Sequence, residues 1–188
     1  MIYMNRRMRK KLDTVRGFTL AETLLAVLIM LLVSTIVVAG IPAAKSAYEN
    51  VVLASNAEVL LSTTVTTLRN ELGTARNVEI PNNKAGENKN SVITYYNDSR
   101  GAFAKIYVAS GDNMIMFQRY YSEDGMGKTQ TASPLISSKT ATGDLYVTYS
   151  NVKRTGSIVT IYNLSVKRGS GTDSIASRKE LSIRVISE

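Results

Sequence analysis

LLAVLIMLLVSTIVVAGI, residues Leu24 to Ile41, is an uninterrupted run of eighteen residues without a charged side chain. Ser34 and Thr35 are the only polar side chains in it. As an α-helix the run would be about 27 Å long, which is close to the thickness of the hydrocarbon layer of a bilayer. The sequence therefore predicts a membrane-spanning helix over residues 18–42.

The segment before this run is basic. Residues 1–17 hold six of the 23 Lys and Arg residues and one of the 15 Asp and Glu residues, so the rest of the chain holds 17 basic and 14 acidic residues. A basic cluster directly before an apolar segment stays on the cytoplasmic side of the membrane. We predict a single-pass protein of the cell membrane with a cytoplasmic leader, residues 1–17, and an extracytoplasmic head. An ordinary secretory signal is not favoured, because its apolar region is only about 7–15 residues long.

Glu22 is the residue that does not fit a simple membrane anchor. It lies among Phe18, Thr19, Leu20, Ala21 and Leu24, inside the apolar segment. An ionised carboxylate there costs about 2.5 to 3.5 kcal/mol, so its presence predicts a partner for the charge. The alternative is that Glu22 lies near enough to the membrane surface to reach water.

The residues Arg16-Gly17-Phe18-Thr19-Leu20-Ala21-Glu22, followed by the apolar run, resemble the prepilin signal of type IV pilins, type II secretion pseudopilins and competence pilins. The resemblance implies that a prepilin peptidase cuts between Gly17 and Phe18 and that the new amino group of Phe18 is N-methylated. It also implies that Glu22 and Thr19 act in assembly. Glu22 of one subunit would then neutralise the amine of Phe18 in its neighbour.

The same resemblance implies a set of partners: other pilin or pseudopilin subunits, the prepilin peptidase, an inner-membrane assembly platform and membrane lipid. The chain departs from the family pattern in two respects. Its leader is longer than the shortest examples, and its first proline, Pro42, comes slightly late. Gly40 and Pro42 are nevertheless the expected positions of a bend in the helix.

Beyond Pro42 the pattern predicts an amphipathic helix over residues 43–76. Apolar residues recur at helical spacing and form one stripe: Ala47, Val51, Ala54, Leu61, Val65, Leu68, Leu72 and Ala75. An unbroken helix from Phe18 to Ala75 would be about 87 Å long. We expect its second half to pack on a head.

From Ser91 onward the apolar period changes to two, which is typical of strands. Six strands are predicted, at residues 92–96, 102–109, 114–121, 145–152, 157–167 and 177–186, with turn residues between them. One face of the fifth is expected to carry Ile158, Thr160, Tyr162, Leu164 and Val166. The predicted fold class is α+β, a long N-terminal helix followed by an antiparallel sheet head over residues 77–188. This architecture is similar to that of pilins, and most like a minor pilin or a J-type pseudopilin.

The composition argues against an enzyme. The chain has no Cys and no His, which removes thiolate and imidazole nucleophiles, bases and metal ligands. The remaining pair, Ser138 and Lys139, would point to opposite faces of a strand. We predict no catalytic residues and no cofactor.

Two sets of charged residues are candidate binding sites. Acidic loop positions could hold calcium, although solvated turns are favoured: Asp112, Glu123, Asp124, Asp144 and Asp173. Basic positions near the C-terminal turns could contact DNA, although exposed charges that keep sheet edges soluble are favoured: Lys153, Arg154, Lys167, Arg168, Arg178 and Lys179. Eight tyrosines of the predicted sheet are expected to pack across strands.

Three functions remain open at this point. The favoured one is a structural subunit of a type IV pilus or of a secretion or competence pseudopilus. The second is a membrane-anchored binding domain that does not polymerise. The third is a filament-tip protein whose head recognises DNA or a surface.

Overall fold

The computed structural model describes residues 18–81, 86–88, 90–121, 130–136, 144–169 and 171–186. The described chain is one long helix followed by antiparallel strands, as the predicted α+β class requires. The helix is α1 (Leu20–Gly73), and the strands are β1 (Ala75–Glu79), β2 (Ile93–Asn97), β3 (Ala102–Val108), β4 (Ile115–Tyr120), β5 (Ser133–Pro134), β6 (Leu145–Thr148), β7 (Asn151–Thr155), β8 (Ile158–Arg168) and β9 (Ser174–Arg184). By internal contacts the chain divides into two units, which meet between Glu49 and Asn50.

In the first unit α1 is long and apolar enough to cross a membrane. Its most apolar window has a mean hydropathy of 2.9, and none of that window is buried within the protein. The hydroxyls of Ser34 and Thr35 donate to the carbonyls of Met30 and Leu32, both at 2.7 Å. These two polar groups are therefore satisfied inside the helix, which lipid requires. The helix continues through Gly40 and Pro42, and the predicted bend there stays a prediction.

In the second unit α1 contributes one buried stripe to the head: Ala57, Leu60, Leu61, Thr64, Val65, Leu68 and Leu72. The predicted stripe is confirmed from Leu61 to Leu72. It is wrong at Ala47, Val51 and Ala54, which are exposed.

The helix ends at Gly73, earlier than the predicted residue 76. Ala75, predicted to be helical, instead begins β1 and pairs with Asn97 of β2. Ala75 and Val78 are fully buried in the head, so β1 obtains both its backbone partners and its apolar contacts from the sheet. Long-range pairing therefore prevails over the continuing helical pattern.

The strands form two antiparallel sheets, where the sequence predicted one. The first is a meander in the order β1-β2-β3-β4-β5. Its outer face carries an aromatic ladder: the rings of Tyr96 and Phe103 are 5.0 Å apart edge to face, and those of Phe103 and Tyr120 are stacked at 5.7 Å. These contacts confirm the expected cross-strand packing for Tyr96 and Tyr120.

In the second sheet β8 is central. β9 pairs with one edge of β8. β6 and β7 both pair with the other edge of β8 in one continuous register, in which Thr148 lies opposite Ser165 and Asn151 lies opposite Tyr162. The two sheets meet at β1. Ile186 donates its backbone N–H to the carbonyl of Ala75 at 3.2 Å, and the Arg154 guanidinium donates to the carbonyl of Val78.

The predicted face of β8 is wrong in its first half. Val159 and Ile161 are buried, followed by Leu164 and Val166, so the buried face changes at Asn163. Asn163 has a left-handed backbone, with φ of 54°, which breaks the regular alternation of a strand.

The neighbouring strands change face at the same level. On the β6–β7 side the buried residues Tyr149 and Val152 are three positions apart, and on β9 the buried residues Ala176 and Leu181 are five apart. One kink therefore runs across the whole second sheet. The buried stripe of α1 and the inner faces of both sheets form a single hydrophobic core.

Glu71 ties the end of α1 to the first sheet. Its Oε2 accepts hydrogen bonds from the Tyr95 hydroxyl at 3.2 Å and from the Asn97 amide at 3.1 Å. Its Oε1 lies 3.1 Å from the guanidinium of Arg100. The Glu71 side chain is only 12% exposed, so its three partners replace the water that burial removes.

We predict that Glu71→Ala lowers the free energy of unfolding of the head by about 1 to 3 kcal/mol, because Tyr95 and Asn97 keep their buried donors without an acceptor. Chemical denaturation of the full-length protein in micelles, followed by tyrosine fluorescence, measures this loss. Glu49→Ala is the matched control: its ion pair with Lys45 is exposed and should contribute almost nothing. Equal effects of the two substitutions would contradict the assigned role of Glu71.

We also predict that the head loses stability as the pH rises above about 10. Burial, followed by the charge of Glu71, raises the pKa of Tyr95, and burial raises the pKa of Tyr149. In the unfolded chain both ionise near a pKa of about 10, so at higher pH the unfolded state releases protons that the folded state retains. Below about pH 9 these two tyrosines should contribute no pH dependence to stability. Absorbance at 295 nm should show these tyrosines ionising only together with unfolding; ionisation while the fold is intact would contradict their burial.

Candidate functional site

The start of α1 is a capping box. Thr19 precedes the first helical residue, and its backbone N–H and hydroxyl both donate to Oε2 of Glu22, at 2.9 and 3.0 Å. In return the backbone N–H of Glu22 donates to the hydroxyl of Thr19 at 3.3 Å. Two backbone donors that a helix start leaves unpaired are thus satisfied by two side chains of the same chain.

This geometry gives Glu22 a partner within its own chain. All its hydrogen bonds to Thr19 use Oε2, and among the described residues Oε1 has no partner. The carboxylate can therefore cap the helix and still offer one oxygen to a cation from outside.

The residues around the capping box are exposed and apolar. Phe18 is 80% exposed and precedes the helix, and Leu20 and Leu24 are exposed as well. Gly17, the other half of the predicted cleavage site, lies outside the described residues. The structure thus brings Thr19 and Glu22 together and leaves Phe18 without cover.

The acidic positions do not converge on a metal site in the described part of the chain. No group of three or more Asp or Glu residues is close enough there to hold an ion. Asp112 and Asp144 line the same surface groove, whereas Asp173 is exposed before β9. Glu123 and Asp124 lie outside the described residues, as do Ser138 and Lys139.

The basic positions do not form one surface. Lys153 lies opposite Thr160 on β8. Thr160 and Lys167 are seven residues apart on that strand, a distance of about 23 Å. Arg154 is engaged in hydrogen bonds to the carbonyls of Gly156 and Val78. Arg168 is on β8, and Arg178 and Lys179 are exposed on β9.

Sequence reasoning missed two features of these sites. The capping box could have been predicted from the sequence. In this motif a hydroxyl residue is followed three residues later by a carboxylate residue, as Thr19 is by Glu22, before an apolar run. The groove lined by Asp112 and Asp144 was not readable, since it depends on how the two sheets meet.

Comparison of this chain with protein-family models, with curated proteins and with solved structures gives no match.

Proposed function

We propose that this chain is a structural subunit, of the minor kind, of a type IV pilus or of a type II secretion or competence pseudopilus. It would be processed by a prepilin peptidase and assembled through α1. The observation that carries the proposal is Glu22, whose Oε1 is not used by the capping bonds to Thr19. It lies at the start of a helix whose most apolar segment is exposed, just after the Gly17–Phe18 junction.

The exposed apolar surface supports a helix that is covered by something other than its own head. None of the most apolar window of α1 is buried, and exposed apolar area of this extent marks contact with lipid or protein. A membrane covers it before assembly, with the leader cytoplasmic and the head extracytoplasmic. In a filament the helices of neighbouring subunits would take the place of the lipid.

Glu22 supports polymerisation over a simple anchor. A capping box functions equally well with a neutral glutamine, so capping alone does not require the charge. Cleavage before Phe18 would create a cationic amine near the helix start. The Oε1 of Glu22 in an adjacent subunit can accept it, and the pair costs less in an apolar environment than either charge alone.

The alternative function, a membrane-anchored domain that never polymerises, needs neither processing nor the charge of Glu22. DNA recognition by the head is less favoured, because the basic residues are spread along the second sheet. Lys153 and Arg154 lie toward one end, Lys167 and Arg168 toward the other, and Arg178 lies between them, opposite Leu164.

The first test is processing. Expressed with a prepilin peptidase, the chain should begin at Phe18 and be one methyl group heavier than the unmodified product, as judged by intact mass and N-terminal sequencing. Without the peptidase it should retain its leader. A chain that still starts at Met1 in the presence of an active peptidase, or that is cut near Ala44, would exclude the prepilin assignment.

The second test separates the two roles of Glu22. Glu22→Gln keeps a side chain that can cap the helix and removes the charge, whereas Thr19→Ala removes the cap and keeps the charge. We predict that Glu22→Gln reduces incorporation into sheared filaments at least about tenfold, the equivalent of about 1.4 kcal/mol, with membrane insertion unchanged. Thr19→Ala should be incorporated at near-normal levels.

The readout is the amount of processed subunit in purified filaments relative to the amount in the membrane. Normal incorporation of Glu22→Gln would remove the electrostatic basis of assembly and favour the anchored domain.

A further inference from the structure

The outward face of β6 and β8 forms a polar groove that the proposed assembly does not use. Tyr146 lies opposite Lys167, and Thr148 lies opposite Ser165. One step further along, the amide of Asn163 donates to the hydroxyl of Ser150 at 3.0 Å. Paired residues of an antiparallel ladder share a face, so these side chains line a single surface, opposite to the buried Leu145 and Val147.

This surface is concave, whereas most outward sheet faces are flat. Asn88 and Asn113 stand at its side, joined by a hydrogen bond of 3.2 Å from one amide to the other. These two residues and the outward side chains of β6 and β8 line a groove of about 320 Å³. It continues into a second groove of about 610 Å³, which shares Asn113, Tyr146 and Lys167. Both are open surface grooves and not enclosed cavities. We call the two together the polar cleft.

The wall of the polar cleft is held by bonds to both sheets. Asn88 donates its backbone N–H to the carbonyl of Val108 at 2.8 Å. From the other sheet, the Tyr149 hydroxyl donates to the carbonyl of Ser91 at 2.5 Å, and Val152 donates to the carbonyl of Asn90 at 3.0 Å. A ligand would therefore meet a preformed wall and would not have to order one.

Backbone conformation also singles out the polar cleft. Five non-glycine residues in the described part of the chain have a left-handed backbone, and three of them line the cleft: Asn113, Asp144 and Asn163. Such conformations are uncommon and persist where the surroundings impose them.

The side chains that line the cleft indicate which class of ligand it can bind. Most of its side chains are uncharged amides and hydroxyls, which both donate and accept hydrogen bonds. The charged groups are Lys167 against Asp112 and Asp144, so the balance does not favour a polyanion. Two tyrosines line the cleft, and Tyr149 is buried. Tyr146 is partly exposed, so its ring offers a flat apolar face with a polar edge. Amides and hydroxyls next to one aromatic ring match the alternating hydroxyl and C–H surfaces of a sugar ring.

We propose that the polar cleft of the head binds an uncharged saccharide. Tyr146 would pack against a sugar ring, and the amides of Asn88, Asn113 and Asn163 with the hydroxyl of Thr148 would bind its hydroxyl groups. This binding requires neither cleavage nor polymerisation, so its failure would leave the proposed assembly untouched.

The test uses the full-length chain in lipid nanodiscs, since several common detergents carry sugar head groups. Maltotetraose, chitotetraose and β-1,4-galactotetraose are titrated by calorimetry and by saturation-transfer NMR, with decathymidylate as the anionic comparison. We expect at least one tetrasaccharide to bind with a dissociation constant below about 1 mM, and decathymidylate to bind more weakly. Failure of all three at 10-fold higher concentration, or tighter binding of decathymidylate that depends on Lys167, would overturn the proposal.

Two variants locate the site. Tyr146→Ala should weaken binding at least about tenfold, and Thr148→Val, which keeps the shape and removes the hydroxyl, should weaken it about threefold. Tyr121→Ala is the matched control, because Tyr121 directly follows β4, outside the cleft, and is 57% exposed. Binding by this variant should be unchanged. If Tyr146→Ala does not fold, Thr148→Val decides. Equal affinity of the control and the cleft variants would place the binding elsewhere and refute the assignment.

Discussion

An apolar helix surface with no partner of its own is the constraint on which this protein depends. In the first unit of the chain, α1 exposes apolar side chains, whose contact with water is unfavourable. The hydroxyl groups of Ser34 and Thr35 donate to carbonyls of the same helix. The same helix supplies the buried stripe from Ala57 to Leu72 at the centre of the head. The helix therefore cannot leave the head without opening the core. Lipid or other helices must therefore cover the apolar segment.

Glu22 illustrates how a local contact changes the meaning of an unusual residue. From position alone, a carboxylate in an apolar segment needs a partner from outside the chain. The structure gives it one within the chain, since Thr19 donates two hydrogen bonds to its Oε2. Glu22 alone is thus weaker support for polymerisation than the sequence indicates. The support comes from its charge, which capping does not need, together with the Gly17–Phe18 junction.

The sequence predicted the features that follow from periodicity: the apolar helix, the buried stripe from Leu61 to Leu72, the antiparallel character of the head and most strand positions. It failed where long-range pairing decides. Ala75 fits the helical spacing but belongs to β1, because its backbone pairs with Asn97. Asn163 changes the buried face of β8, and no rule of alternation contains such a change. Glu71 is not part of the predicted apolar stripe, and only its hydrogen bonds with Tyr95 and Asn97 show why it is mostly buried.

The kink at Asn163 also connects the fold to the polar cleft. If β8 had kept one alternation throughout, the face that carries Val159 and Ile161 would also have carried Asn163 and Ser165, and polar side chains would have entered the core. The left-handed residue turns Leu164 and Val166 inward, which leaves Ser165 and Lys167 on the outward face opposite Tyr146 and Thr148. The left-handed residue Asn163 therefore determines which side chains of β8 enter the core and which line the cleft. None of the cleft residues belongs to α1, so a substitution in the cleft leaves the apolar helix unchanged.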